Sequence, residues 1–177
     1  MPLKLRFHEL HNVPKNVSLA RLKIQKLRIL SLGNRFAEAE QLKHEVLALD
    51  PGNEVHEIDS LRILADGYMA VAGEKEKARA ALERAIELSE KTGKRKLDVL
   101  FGYSTFLLRV GEFEKAKPIL EELKKQAESN NNRSFLRKIL TNLGAIERNK
   151  MHKEFLKYAD DAISFEELEM HASEILP

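Results

Sequence analysis

Apolar residues recur at helical intervals in four successive segments of the chain. Three of the segments begin with a glycine that is followed a few residues later by an alanine: Ala39, Ala78 and Ala116. A weaker fourth copy has Phe155 at the position of the alanine. The successive spacings are 39, 38 and 39 residues. A regular spacing of this size is typical of helical repeat proteins. Each segment is therefore predicted to form an amphipathic helix with one buried face.

A second apolar periodic stretch precedes each of these segments, so each repeat is predicted to contain two helices. The predicted first helices cover residues 17–32, 55–72, 95–110 and 133–148. Turn residues separate the helices, and four glycines suit the left-handed residue that follows a helix end: Gly33, Gly73, Gly93 and Gly111. Pro118 lies beyond the first turn of its helix, where a missing amide predicts a kink.

Both ends of the chain are predicted to lie outside the repeats. Residues 1–16 alternate apolar and basic side chains and are interpreted as a basic N-terminal arm. Ser164 and Glu167 resemble a capping box, which predicts a C-terminal helix over residues 164–177 that covers the last repeat. The predicted fold is all-α, with about four antiparallel helix hairpins in residues 17–163 followed by this capping helix.

The composition agrees with helices, since 43% of residues are hydrophobic, 33% are charged, and there are only 8 Gly and 5 Pro. The absence of cysteine excludes a disulfide framework, a thiolate zinc site and a cysteine nucleophile. Charged residues interrupt every apolar run before it reaches membrane-spanning length, and the N-terminus lacks the apolar core of a signal peptide. A soluble, cytoplasmic protein without membrane association is expected.

The second helix of each repeat resembles the tetratricopeptide repeat (TPR) family. The first copy carries Gly33, Phe36, Ala39 and the ending Leu49-Asp50-Pro51, and the third repeats the pattern with Gly111, Phe113 and Ala116. The period of 38 to 39 residues is longer than the usual 34 of this family. The resemblance covers residues 17–165 and implies a right-handed α-solenoid. It also implies a scaffold or adaptor that binds a peptide or a partner protein.

Catalytic chemistry has little support in the sequence. His8 and His11 are close enough to share a metal ion on a helix, but no further ligands accompany them. No phosphate-binding glycine loop occurs, and the remaining histidines are scattered. The protein is therefore predicted not to be an enzyme, and no cofactor or metal is expected.

In stacked helix hairpins the first helices line the concave side, so a partner-binding groove is expected there. Three residue pairs occupy equivalent positions in the later first helices: Leu64-Ala65, Tyr103-Ser104 and Leu143-Gly144. This alignment assigns six residues to the groove: Arg62, Asp66, Phe101, Thr105, Lys138 and Asn142. Gln25 and Arg28 on the first helix are added to them. Arg62 and Lys138 favour an acidic partner segment. Asp66 and Phe101 depart from the Lys, Arg and Asn with which family members grip a C-terminal carboxylate.

Two alternatives to a peptide-binding scaffold remain open from the sequence. RNA binding is one, because residues 1–30 contain seven basic residues and a single carboxylate, although 6% aromatic content leaves few stacking platforms. Self-assembly is the other, because residues 154–177 are acidic, with seven carboxylates and one lysine. A weak homo-oligomer formed through oppositely charged ends follows from this second alternative.

Overall fold

The computed structural model describes the backbone of residues 15–175 and the side chains of residues 19–157. Within this part of the chain all regular secondary structure is α-helical and no strand occurs, which confirms the all-α prediction. Seven helices are present in the described residues: α1 (Lys15–Leu32), α2 (Phe36–Leu49), α3 (Glu54–Met69), α4 (Lys75–Thr92), α5 (Lys96–Arg109), α6 (Phe113–Ser129) and α7 (Arg133–Ile175).

The first six helices correspond to the three helix pairs that the repeats predict. Their short connections contain the expected turn residues, such as Gly93, which follows α4 with a φ of 68°. The first turn differs from the prediction because its left-handed residue is Asn34, with a φ of 59°, and not Gly33. Asparagine tolerates this conformation better than most residues, so the turn forms one position later.

The fourth predicted hairpin and the separate capping helix are not present, because residues 133–175 form a single helix, α7. The sequence explains this difference. No glycine or proline lies between Gly144 and Pro177, so nothing stops the helix at the expected turns near residues 149 and 164. Residues 1–14 of the predicted basic arm lie outside the described residues, while Lys15 and Asn16 already belong to α1.

The chain divides into two compact units, residues 1–119 and residues 120–177. In the first unit α1 packs against α2 and α3, and α3 packs against α2, α4 and α5. The first helices of successive repeats therefore contact one another directly, as α1 with α3 and α3 with α5. These contacts place polar faces of α1 and α3 next to each other, where the candidate site lies.

The repeat alanines are buried as the periodicity predicts, since Ala39, Ala78 and Ala116 have no solvent exposure. The core of the first unit consists mainly of larger aliphatic and aromatic side chains that are fully buried: Leu27, Ile58, Leu64, Leu82, Phe106 and Leu107. Burial of each such side chain contributes roughly 1.5–3 kcal/mol to stability. This packing fixes the α1 and α3 backbones that carry the groove residues.

In the second unit, the turn before α7 is built from asparagines, as the sequence predicts. Asn131 has a positive φ of 50°, and the side chain of Asn132 accepts a hydrogen bond of 3.1 Å from the Phe135 amide. The accepted bond caps the start of α7. Leu123 and Ile139 are fully buried in this unit.

Candidate binding groove

The polar face of α1 lies next to the polar face of α3. Arg21, Gln25 and Arg28 lie on one side of α1 because they are spaced by about one helical turn. Asp59, Arg62 and Asp66 have a similar spacing on α3. The opposite face of each helix contributes to the core, so these side chains are directed away from it.

Two clefts lie between these faces. The first, called here the Asp66 cleft, has a volume of about 300 Å³. It is lined by Ile24, Gln25, Arg28, Asp59, Arg62, Ile63, Asp66 and Arg95.

The second, called the Arg21 cleft, has a volume of about 550 Å³ and extends towards the beginnings of α3 and α5. It is lined by Arg21, Ile24, Gln25, Asn53, Val55, His56, Asp59, Lys94 and Arg95. Four of these residues also line the Asp66 cleft: Ile24, Gln25, Asp59 and Arg95. The two clefts therefore form one continuous groove.

Asp59 organises the charges in the middle of this groove. Its Oδ2 lies 3.1 Å from Arg95 Nη2 and its Oδ1 lies 3.6 Å from Arg62 Nη1. Arg95 adopts a left-handed backbone conformation, with a φ of 59°, immediately before α5. The ion pair with Asp59 thus holds a turn residue against the groove, and Asp59 is shared by two guanidinium groups.

The groove as a whole is positively charged. Its lining contains five basic side chains against two carboxylates: Arg21, Arg28, Arg62, Lys94 and Arg95 against Asp59 and Asp66. No carboxylate lies within 4 Å of the Arg21, Arg28 or Lys94 charges among the described residues. Such an arrangement attracts anionic groups and repels cationic ones.

Asp66 lies in a concave part of the groove, although its side chain remains accessible to water. Desolvation by the surrounding protein raises the pKa of the Asp66 carboxyl above its ordinary value. The positive charges of Arg62, Arg28 and Arg109 lower this pKa, but by less. Solvent access limits the cost of this charge, because water still screens it. Arg28 and Arg62, which line the same cleft, therefore favour the charged form of this carboxylate.

Asn53 and His56 form one wall of the Arg21 cleft. The Asn53 side chain accepts a 3.2 Å hydrogen bond from the Val55 amide, which caps α3, and it donates a 2.7 Å bond to Asp50. His56 is 6% exposed, and its Nδ1 lies 3.4 Å from Asp50 Oδ2. The Asp50 carboxylate therefore holds the Asn53 side chain by a hydrogen bond and lies beside the buried imidazole of His56.

The structure brings four of the predicted groove residues together, since Gln25, Arg28, Arg62 and Asp66 line the Asp66 cleft. The others lie outside the two clefts. Phe101 and Thr105 are half-buried on α5, where the Thr105 hydroxyl donates a 2.9 Å bond to the Phe101 carbonyl. Lys138 and Asn142 lie on α7 in the second unit, with Lys138 exposed and Asn142 half-buried.

Sequence reasoning missed Arg21, Asp59 and the basic pair Lys94 and Arg95. Arg21 and Asp59 lie about one turn from Gln25 and Arg62 on the same helical faces, so helical periodicity was a sufficient signal. Lys94 and Arg95 precede α5 in a turn, and no periodic pattern assigns a turn residue to a face.

Comparison of the chain with protein-family models, with curated proteins and with solved structures gave no match. In the part of the chain that the structure describes, no helix has the length and apolar character needed to cross a membrane. Nor do three or more histidine or acidic side chains cluster closely enough to hold a metal ion within those residues. His8 and His11 lie outside the described residues.

Proposed function

We propose that the chain is a protein-interaction scaffold or adaptor that binds a segment of a partner protein in the groove between α1 and α3. The observation that carries this proposal is that Gln25 and Arg28 meet Arg62 and Asp66 along one cleft. All four residues belong to the groove that the sequence predicts. Two distant parts of the sequence thus supply one continuous polar surface.

The helix contacts support a TPR-like architecture for this scaffold. In α-solenoids the first helices of successive repeats stack side by side and line a concave surface. The contacts of α1 with α3 and of α3 with α5 agree with that arrangement. We therefore propose a right-handed solenoid for the repeats, in a cytoplasmic protein without catalytic activity.

The charge of the groove supports an acidic partner segment. Arg28 lies on α1 and Arg62 on the neighbouring helix α3, so a peptide between the two helices would meet positive charge on both sides. Complementary charge raises association rates and disfavours partners of the wrong sign. An extended or helical segment rich in Asp and Glu fits this surface best.

Selection of peptides from a random display library on the purified full chain tests the proposal. We expect the selected peptides to be enriched in Asp and Glu. Their affinity, measured by fluorescence polarisation, should fall about tenfold or more in the double variant Arg28→Glu and Arg62→Glu, which corresponds to about 1.4 kcal/mol. Circular dichroism should show an unchanged helical fold in this variant.

The matched control is the double variant Lys75→Glu and Lys91→Glu, which reverses two exposed charges on α4 outside the groove. Its affinity for the selected peptides should stay within about twofold of the native value. Equal affinity for the groove variant and the native chain would contradict the groove assignment. Salt-sensitive binding of a fluorescent oligouridylate, lost in the groove variant, would instead assign the groove to RNA.

A further inference from the structure

The Arg21 cleft is the part of the groove in which cations most outnumber carboxylates. Its lining carries three cations, Arg21, Lys94 and Arg95, against the single carboxylate of Asp59. Two positive charges therefore remain uncompensated within one cleft of about 550 Å³. This volume lies inside the range of roughly 300–1,000 Å³ that is typical of ligand sites.

We propose that the Arg21 cleft binds a phosphate monoester, presented by a phosphorylated side chain of the segment that occupies the groove. The inference rests on the proposed function, because the phosphate carrier is the bound segment. A phosphorylated side chain carries a charge of about −1.5 to −2 near neutral pH. This charge matches the excess of two in the cleft, whereas a carboxylate would leave one cation uncompensated.

The three cations converge from separate parts of the chain. Arg21 comes from α1, while Lys94 and Arg95 come from the turn before α5. The 3.1 Å contact between Arg95 Nη2 and Asp59 Oδ2 positions one guanidinium beside the cleft. Among the described side chains no carboxylate forms an ion pair with Arg21 or Lys94. Guanidinium groups bind phosphate oxygens strongly because their donors match the phosphate geometry.

The neighbouring polar groups favour a single phosphate over a nucleic-acid chain. Apart from the imidazole of His56, no aromatic ring lines the Arg21 cleft. Proteins that bind single-stranded RNA usually supply aromatic platforms on which bases stack. Gln25 is exposed and lines both clefts, so its amide lies where a ligand would pass from one to the other. A phosphorylated peptide fits this combination better than RNA.

The first experiment titrates the full ¹⁵N-labelled chain with N-acetylphosphoserine N-methylamide and follows backbone NMR resonances. We expect shifts centred on Arg21, Lys94 and Arg95. The corresponding N-acetylglutamate N-methylamide should bind about tenfold more weakly, because it carries one charge fewer. Equal affinity for the two compounds, or shifts centred elsewhere, would overturn the phosphate site.

Variants separate this site from the rest of the groove. Arg21→Gln combined with Lys94→Gln should weaken phosphoserine binding about tenfold, while Lys75→Gln combined with Lys91→Gln should leave it within about twofold. Unchanged binding in the first variant would refute the site. An oligouridylate that shifts the same resonances and binds more tightly than the phosphoserine compound would refute the phosphopeptide assignment.

A selected peptide with one serine distinguishes the two proposals. The phosphorylated form should bind the native chain more tightly than the unphosphorylated form, and the Arg21→Gln, Lys94→Gln variant should abolish this difference. If both forms bind equally, the phosphate site fails and the peptide groove stands. If the phosphoserine compound binds at Arg21 but no peptide is ever selected, the cleft binds phosphate, whereas the peptide groove and the bound segment proposed as the phosphate carrier both fail.

Discussion

At the scale of single residues, Tyr68 connects three helices of the first unit. Its hydroxyl on α3 donates a 2.6 Å hydrogen bond to Glu40 Oε1 on α2. Its ring centroid lies 4.6 Å from that of Phe36, and Lys77 Nζ on α4 lies 5.7 Å from the ring centroid. Glu40 also accepts a 3.0 Å bond from Lys43. A single side chain therefore stabilises contacts between neighbouring repeats.

These contacts change the pKa values of both partners. Burial raises the pKa of the Tyr68 phenol, and the hydrogen bond to Glu40 raises it further. For Glu40, burial acts to raise the pKa of the carboxyl, but the bonds from Tyr68 and Lys43 outweigh it. The net pKa of Glu40 is therefore below its ordinary value of 4.5.

Tyr68→Phe should lower the free energy of unfolding by about 1.5–3 kcal/mol at neutral pH, because it removes one hydrogen bond to a charged acceptor. A lowered carboxyl pKa stabilises the fold above the ordinary value of 4.5, and this stability is lost as the pH falls through the folded-state pKa. A raised phenol pKa stabilises the fold below about pH 10 and is lost as the pH rises. The difference between variant and native chain should therefore shrink at both extremes.

Urea denaturation at acidic, neutral and alkaline pH measures this difference. Tyr103→Phe is the matched control, because Tyr103 is half-buried and its hydroxyl makes no hydrogen bond among the described residues. A cost that is the same at every pH, or equal in the two variants, would show that the Tyr68–Glu40 bond does not produce it.

Residue-scale burial was predictable where it followed the repeat. Ala39, Ala78 and Ala116 share one periodic position and are all fully buried. The contact between Tyr68 and Glu40 was not predictable, because the two residues are 28 positions apart and belong to different periodic faces. Local patterns fix which side of a helix is buried, but they do not fix which polar side chains meet across an interface.

At the scale of helices, Gly67 sets the distance between α3 and its neighbours. A Cβ atom added to this residue would lie 2.9 Å from Ser31 Cβ, 3.0 Å from Ser31 O and 3.1 Å from Phe36 Cε1. The Ser31 carbonyl belongs to the α1 backbone and cannot rotate away as a side chain does. Glycine is therefore required by close helix packing at this position.

Gly67→Ala should destabilise the protein by about 1–3 kcal/mol through overpacking, despite the gain in helix propensity. Gly102→Ala is the matched substitution in α5, where the new Cβ would meet only Leu82 Cδ2 at 3.6 Å. This second variant should be more stable than the native chain, by up to about 1 kcal/mol, because alanine favours the helix.

Thermal unfolding followed by circular dichroism compares the two glycine variants under the same conditions. Opposite shifts of the melting temperature are expected. A stabilising effect of Gly67→Ala would contradict the close contact between α3 and Ser31, because the added Cβ would then have room.

The ends of the helices were predictable wherever a glycine turn separates two helices. Gly73, Gly93 and Gly111 each have positive φ values and separate the predicted helices. The fourth repeat was wrongly divided, because apolar spacing alone suggested a turn that no glycine or proline supports. Periodicity indicates helical faces, whereas helix ends depend on residues that stop the helix or satisfy its terminal groups.

At the scale of the whole chain, four of the eight residues predicted for the groove line one cleft. Gln25, Arg28, Arg62 and Asp66 were predictable because they lie on regular helices of adjacent repeats. The contribution of Arg95 was not predictable, because it depends on a turn whose left-handed residue is neither glycine nor asparagine. The most basic part of the groove thus comes from the connection between repeats.

The distribution of charge along the chain also predicts weak self-association. Residues 1–30 are strongly basic and residues 154–177 are strongly acidic. Contact between unlike ends of two molecules would be head-to-tail, and it would depend on exposed ion pairs worth about 0–1 kcal/mol each. Sedimentation velocity should therefore detect partial dimers at about 20 mM NaCl and monomers at about 500 mM, where salt screens these pairs.

An alternative, apolar contact has a different salt dependence and a defined surface. Three large side chains of α1 are unusually exposed: Leu22 at 68%, Ile29 at 71% and Leu32 at 70%. A dimer that persists at high salt and disappears in Ile29→Glu would place the interface on α1. The charged contact instead predicts that Ile29→Glu leaves low-salt dimers largely unchanged, while added salt dissociates them. A monomer at every concentration in low salt would rule out both contacts.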